Sequence, residues 1–210
     1  MNFNNLDAII YTEGFSEGET GQAKISPFDR TCEFTGEFVP MLTIGAPVII
    51  VCKYHDVPLL RVCGKAYLST RNYLRITDVE CSLCDGAENL IETQVSISAD
   101  IIKATRRTVK LIPCYVSAIG VDAVTLSGCD LNPDGADKRI TLRMGYPVFP
   151  REVDIPLVSC EKGLRFGDSP RLAYRYEEIS PRDLSCIRAF VRERENAKLA
   201  DLFKPRSNII

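Results

Sequence analysis

Two groups of residues have the types and spacing to do chemistry. One is the adjacent pair Arg106 and Arg107 in KATRRTVKLIP (103–113), at the mouth of an apolar run; the other is Cys81 and Cys84 in CSLC (81–84). Neighbouring guanidinium groups beside a strand edge can form bidentate hydrogen bonds to phosphate oxygens or to the O6/N7 edge of guanine, and can stack on base faces. By residue type alone the pair reads equally as two solvated linker charges. The cysteines supply half of a zinc site, but the chain has no second CxxC and a single histidine, His55, in the turn-like YHDVP. Structural zinc needs four ligands, and a redox pair belongs at a strand-to-helix junction in a βαβ setting. Two strand-end or loop thiols are the plainer reading of CSLC.

Other catalytic signals are missing from the sequence. His55 has no nucleophile motif around it, no Gly-rich phosphate loop is followed by Lys-Ser or Lys-Thr, and no strand–GxGxxG–helix unit occurs. The chain is therefore expected not to be an enzyme and to need no cofactor or metal. A thiol- or metal-dependent enzyme built on Cys81 and Cys84 is a distant third possibility.

The elements that position these residues are mostly short strands. The 210 residues suit one large domain or two of about 100 each. β-Branched runs such as PVIIVCKY (47–54), PLLRVCGKAYL (58–68) and NYLRITDV (72–79) alternate with turns such as HDVP and CDGAEN. After ADIIKATRR (99–107), strands resume at TVKLIPCYVSAI (108–119), VDAVTLSGCDL (121–131), KRITLRMGYPVF (138–149), EVDIPLVSC (152–160) and RLAYRYEEI (171–179). The loop NPDGAD (132–137) is strong turn chemistry. This spacing predicts a mainly β protein of two small antiparallel β-barrels in tandem, residues 1–102 and 103–210. The likeness of GKAYLSTRNYLRI (64–76) to VDAVTLSGCDL (121–131) hints that the barrels are related.

The period then changes. In SPRDLSCIRAFVRERE, Ser180 can cap a helix, Pro181 suits its first turn and Asp183 completes a capping-box-like signal. A helix is predicted over 181–203, with Leu184, Ile187, Phe190 and Val191 on the face that docks on the second barrel.

Charge and cysteine usage bound the partners. Twenty-six basic and 28 acidic residues give a formal charge of −2, so a nucleic-acid partner, which usually meets a clearly basic domain, is not expected. The longest apolar run, VPMLTIGAPVIIVC (39–52), is broken by Pro40, Gly45 and Pro47, and membrane insertion is not expected. The N-terminal MNFNNLDAII has no signal-like core. Most of the nine cysteines sit in apolar or alternating runs, as reduced core residues do. A cytoplasmic protein is expected.

Context now bears on the arginine pair. ATRRTVKLIP, then VDAVTLSGCDL, a strand series and YRYEEISPRDLSCIRAFVRERE together resemble a PilZ domain. The resemblance covers about 103–195 by motif, and 1–102 only by the two-domain, flagellar-brake-like arrangement. It implies a six-stranded barrel that binds the bacterial second messenger cyclic di-GMP through an RxxxR segment and a (D/N)xSxxG segment. Arg106 takes the first Arg of RxxxR, Arg107 its frequent neighbour, and Lys110 the place of the second Arg. Thr125 stands at the Asp/Asn position, Ser127 at the Ser and Asp130 at the Gly. Lys keeps charge without the planar fork, Thr is a weak acceptor, and Asp brings negative charge near phosphates. Each missing charge-assisted hydrogen bond weakens a ligand by about 2 kcal/mol, so two or three of them amount to about three orders of magnitude in affinity.

Two functions follow. One is a non-enzymatic bacterial signalling receptor for cyclic di-GMP, whose KATRR segment, taken as the interdomain linker, orders on binding and alters a surface for an unidentified protein partner. The other is a degenerate PilZ-like adaptor that binds no nucleotide and acts by protein–protein contact.

Overall fold

The computed structural model describes residues 3–12, 18–104, 108–132, 135–146, 148–159, 165–166 and 169–205. Arg106 and Arg107 lie outside the described residues, as do Pro133 and Asp134 of the NPDGAD loop. The chain divides into two compact units. One comprises the residues up to Ala87 with those from Glu195 onward; the other comprises Glu88–Arg194.

The first unit is a closed antiparallel barrel of β1 (Leu6–Thr12), β2 (Glu19–Ser26), β3 (Thr31–Gly36), β4 (Pro47–Tyr54), β5 (Val57–Ser69) and β6 (Tyr73–Leu83), in the order β1-β2-β3-β6-β5-β4. Alternation decides which side chains enter it. In β4, Val48, Ile50 and Cys52 are buried and the residues between them are not, as a pleat with one dry face requires. Phe34, Leu60, Leu74 and Ile76 fill the centre with Cys32 and Cys52, which serve as small apolar residues. The β4–β5 hairpin turns on His55 and Asp56, both at positive φ (47° and 64°), the geometry that matches a tight turn to strand twist.

The second barrel consists of β7 (Thr93–Ala104), β8 (Val109–Ile119), β9 (Ala123–Ser127), β10 (Arg139–Met144), β11 (Val153–Ser159) and β14 (Leu172–Tyr176). A two-stranded ribbon, β12 (Arg165–Phe166) with β13 (Ser169–Pro170), lies between the last two in sequence. Its closed order, β10-β11-β14-β9-β8-β7, is that of the first barrel with β7 in the place of β1 and β14 in the place of β6. The two barrels therefore share one topology. The sequence likeness pointed to a different match, since 64–76 falls on β5 and β6 whereas 121–131 holds β9, the counterpart of β3.

The chain passes between units at 87/88, ahead of the boundary expected at 102/103. Residues 93–104 form β7, paired with β8 and β10, and Ile101 is fully buried in the second barrel. KATRR is consequently not an interdomain linker. Ala104 pairs with Val109, so the segment between them joins two strands of one barrel. A short 3-10 helix, Ala87–Leu90, occupies the crossing.

The helix, α1 (Pro181–Leu202), starts as its sequence dictates. The Asp183 N–H donates to Ser180 Oγ at 3.1 Å and the Ser180 hydroxyl donates to Asp183 Oδ2 at 2.7 Å, closing the cap. Ile187 and Val191 are fully buried against the second barrel, with Cys186 and Phe190 partly buried beside them. The last turns group with the first unit, where the Leu83 N–H donates to Asn196 Oδ1 and Leu199 and Phe203 are buried. Among the described residues, no helix is long and apolar enough to cross a membrane.

Candidate functional site

β8 and β9 set the site. Tyr115 pairs with Ser127, the last residue of β9. In β8 the side chains of Cys114 and Val116 are buried, and in β9 those of Val124 and Leu126 are. Tyr115 and Ser127 therefore share the outer face of the barrel. Gly128 follows at φ +72°, and a Cβ there would lie 3.0 Å from Tyr115 Cδ2. A glycine is favoured at this position by its positive φ, and a side chain there would also crowd the tyrosine ring.

Beside this pair is a cavity of about 640 Å³ on the outside of β7, β8 and β10, within the usual range for small-molecule sites. Tyr115 and Gly128 form part of its wall; Asp100, Arg143, Tyr146, Arg151 and Glu152 supply its other polar groups. Their placement follows from the strands and the turn after β10. Asp100 on β7 pairs with Pro113 on β8 and with Arg143 on β10. The turn beyond Met144 is tied by Val148 and Phe149 N–H groups donating to the Gly145 carbonyl, at 3.0 and 3.1 Å. Phe149 is buried in the core, whereas Tyr146 is 91% exposed.

The charges at the cavity are largely partnered. Arg143 donates through Nε and Nη2 to the two carboxylate oxygens of Asp154, at 2.7 and 2.8 Å. That fork raises the Arg143 guanidinium pKa further and holds the Asp154 carboxyl below the usual carboxylate range. Arg143 Nη1 lies 3.8 Å from Glu152, and Arg151 Nη2 lies 3.2 Å from Asp183.

The six residues expected to bind a ligand are not all brought together. Ser127 is next to the cavity without lining it: its cross-strand partner Tyr115 and its neighbour Gly128 do. Thr125 is on the same outer face, but its hydroxyl donates to Glu92 Oε1 at 3.0 Å and it lines a separate cavity of about 270 Å³ with Gly120 and Asp122. Lys110 has the parity of the inward-facing Ile112 and Cys114 and emerges, exposed, at the open end of the barrel. It is opposite Lys103, whose ammonium is 2.5 Å from buried Asp137. Asp130 is exposed beyond the end of β9. Arg106 and Arg107 lie outside the described residues, between Ala104 and Val109. That last described pair is four residues along β7 from Asp100, about 13 Å at the usual strand rise.

Asp137 anchors this end of the barrel. Burial alone would raise its carboxyl, but the Asn132 N–H, donating at 2.9 Å, and Lys103 outweigh burial and hold the pKa low. The Tyr174 hydroxyl donates to the Asp137 carbonyl at 2.9 Å, and burial with the nearby carboxylate pushes Tyr174 up to about 12.

Cys81 is on β6 at a position of inward parity, and burial with neighbouring Cys52 and Cys63 raises its thiol. Thiolate chemistry needs the opposite shift. Among the described residues, no group of three or more His, Cys, Asp or Glu side chains is arranged to hold a metal ion.

Sequence reasoning missed Asp100, Tyr115, Arg143 and Tyr146 because three separated stretches contribute them. The available signal was an aromatic in the turn GYP directly after a strand.

No protein-family model matches the chain, and no curated protein matches it. Solved structures do align with it. The Bacillus subtilis inhibitor of motility (MotI/DgrA) aligns with 93% of this chain and 98% of its own, at 10% identity and a TM-score of 0.43. The K. pneumonia MrkH–c-di-GMP complex aligns with 92% and 89%, at 10% identity and 0.39. Escherichia coli YcgR in complex with c-di-GMP aligns with 95% and 89%, at 11% identity and 0.38. These neighbours are PilZ-domain proteins, and at such identities the ligand of this chain has to be argued from its own residues.

Proposed function

We propose that this chain is a non-enzymatic signalling receptor whose second barrel binds cyclic di-GMP. The observation that carries the proposal is the pairing of Ser127 with Tyr115 over Gly128, at the rim of a cavity on the same barrel whose β7–β8 connection bears Arg106 and Arg107. The ligand offers guanines and phosphates at separate ends. That suits a site with a walled cavity at one end and the exposed Lys110 farther along β8, on the strand that follows the connection carrying Arg106 and Arg107 in sequence. Arg106, Arg107 and Lys110 would meet phosphate and Ser127 would donate to the ligand at the rim. Thr125 and Asp130 would contribute little, since one is engaged by Glu92 and the other is an exposed anion.

Because the arginine segment joins two strands of one barrel, the ligand would act by fixing that hairpin end, not by clamping a linker between barrels. The changed surface would then meet a protein partner. Amide NMR spectra recorded during addition of cyclic di-GMP test this directly: the Tyr115, Ser127 and Gly128 signals should move together and saturate. Signals that stay fixed at these three residues would contradict it.

A second reading has its own support. Arg143 and Arg151 are already held by Asp154 and Asp183, and Thr125 by Glu92. A barrel with its polar groups satisfied internally suits an adaptor that works through protein contacts. Absence of cyclic di-GMP binding, with the fold intact, would favour it.

A further inference from the structure

A turn brings two cysteines of the second barrel together. Tyr115 pairs with Ser127, so continuing the register sets Cys114 opposite Gly128, with Cys129 one residue further on. Strand alternation alone would send Cys129 outward with Ser127. Gly128, at φ +72°, breaks the alternation. Cys129 packs instead against the core cluster that holds Cys114, and the Cys114 thiol donates a hydrogen bond to the Cys129 sulfur. Both cysteines are free. Cys114 is buried, whereas Cys129 is only half-buried.

We propose that Cys114 and Cys129 are a hydroperoxide-sensitive thiol pair: Cys129 is oxidised first, and Cys114 then closes a disulfide that ties the exit of β9 to β8. The site does not depend on the ligand reading and needs no nucleotide.

The two roles follow from the surroundings. The hydrogen bond from Cys114 lowers the Cys129 thiol, and Lys103 lowers it further, together outweighing burial and the carboxylates of Asp130 and Asp137. Cys114, as donor and as a buried group, is raised. Burial moves Cys32, Cys52 and Cys81 upward, so those thiols are protected where Cys129 is not. A partly exposed sulfur of thiolate character with a second thiol in contact is the arrangement in which oxidation ends as a disulfide. Cα atoms paired across strands are about 5 Å apart, and an offset of one residue stays below the roughly 7 Å that a disulfide spans.

The chemistry balances. The Cys129 thiolate attacks one oxygen of hydrogen peroxide, the O–O bond breaks, and Cys129 becomes a sulfenic acid. The departing hydroxide takes a proton from solvent. The Cys114 sulfur then attacks the Cys129 sulfur, the S–O bond breaks, and the second hydroxide leaves with the Cys114 proton as water. In sum, two thiols and one peroxide give one disulfide and two waters, the sulfurs yielding two electrons to the O–O bond. Cys114 and Gly128 both line the 640 Å³ cavity. Drawing the sulfurs from contact to a bond of about 2 Å therefore moves the cavity wall at the Gly128 turn.

The test uses the folded full chain with hydrogen peroxide as the probe. Both cysteines lie in one tryptic peptide, 111–138, which holds no other cysteine. After brief exposure and alkylation in urea, that peptide should be two hydrogens lighter and unalkylated. This product should form at least tenfold faster than any oxidised product of Cys32, Cys52 or Cys81, and dithiothreitol should reverse it. Cys114→Ala should stop Cys129 at the sulfenic acid, caught by dimedone, and Cys129→Ala should leave Cys114 reduced. The wild-type map decides the question by itself if either variant fails to fold. Cys129 reaching sulfinic acid in wild type while Cys114 stays alkylatable, or oxidation no faster than at Cys52, would overturn the site. So would a disulfide that forms only once urea has unfolded the chain.

Discussion

Tyr115 on β8 and Ser127 at the end of β9 face each other in register on the outside of the second barrel, and a side chain at the next residue, Gly128, would crowd the tyrosine ring. The relationship has a mechanical consequence. Gly128→Ala would impose a side chain at φ +72° and press its Cβ against Tyr115 at 3.0 Å. The substitution should destabilise the protein by at least about 1 kcal/mol, read as a lower urea midpoint with an unchanged slope. It should also shift the Tyr115 ring signals.

Asp137 predicts a pH dependence. Its folded carboxyl titrates below the unfolded value, about 3.9. Its stabilisation is therefore fully present above that value and is lost as pH falls through the folded pKa. Lys103, its partner, is 37% exposed, so solvent screening reduces the contribution. Asp137→Asn should lower stability by about 1 kcal/mol at pH 7. Denaturation at about pH 3 should show that difference shrinking.

The architecture was largely legible in the sequence because β-branched runs are separated by strong turn residues. PVIIVCKY read as a strand on that ground, although its unbroken apolar run does not say which face is dry, and Ser180, Pro181 and Asp183 marked the helix start to the residue. The unit boundary was not legible for a specific reason. Lys103 made 99–107 look like a polar passage, yet Lys103 continues β7 and is neutralised by Asp137, more than thirty residues away in sequence. Such long-range pairing leaves no local signal. The same holds for the cavity, where Asp100, Tyr115, Arg143 and Tyr146 meet only because β8, β7 and β10 are neighbours in the closed barrel. Thr125 shows the converse: the family resemblance implied a ligand position there, but its hydroxyl serves Glu92.

That pairing makes a carboxylate at this position testable. Thr125→Asp would place a carboxylate where the Thr hydroxyl now meets Glu92 Oε1 at 3.0 Å. Alone it should lower stability by about 0.5 kcal/mol, through repulsion at a partly exposed site. Combined with Glu92→Gln the loss should disappear, and a double-mutant cycle of melting curves checks the coupling.

The cysteines should behave as core residues. Burial, with neighbouring Cys84, pushes the Cys52 thiol up to about 12, and burial with neighbouring Cys52 and Cys81 raises Cys32. At pH 8 Cys52 is therefore held in the thiol form. Iodoacetamide at that pH should leave Cys32, Cys52 and Cys81 unlabelled in the folded protein and label all three in urea, as read by peptide mass mapping. Cys129 should react faster than Cys114, since contact with Cys114 lowers the Cys129 thiol and raises its partner's.

The most direct test of the receptor proposal is calorimetric titration of cyclic di-GMP into wild type and an Arg106→Ala/Arg107→Ala double variant, at moderate salt and with GTP as an anion control. The proposal predicts saturable binding to wild type, little heat from GTP and loss of binding in the variant. No heat up to high micromolar cyclic di-GMP, with an unchanged melting temperature, would contradict it and leave an adaptor that keeps the barrel without the messenger.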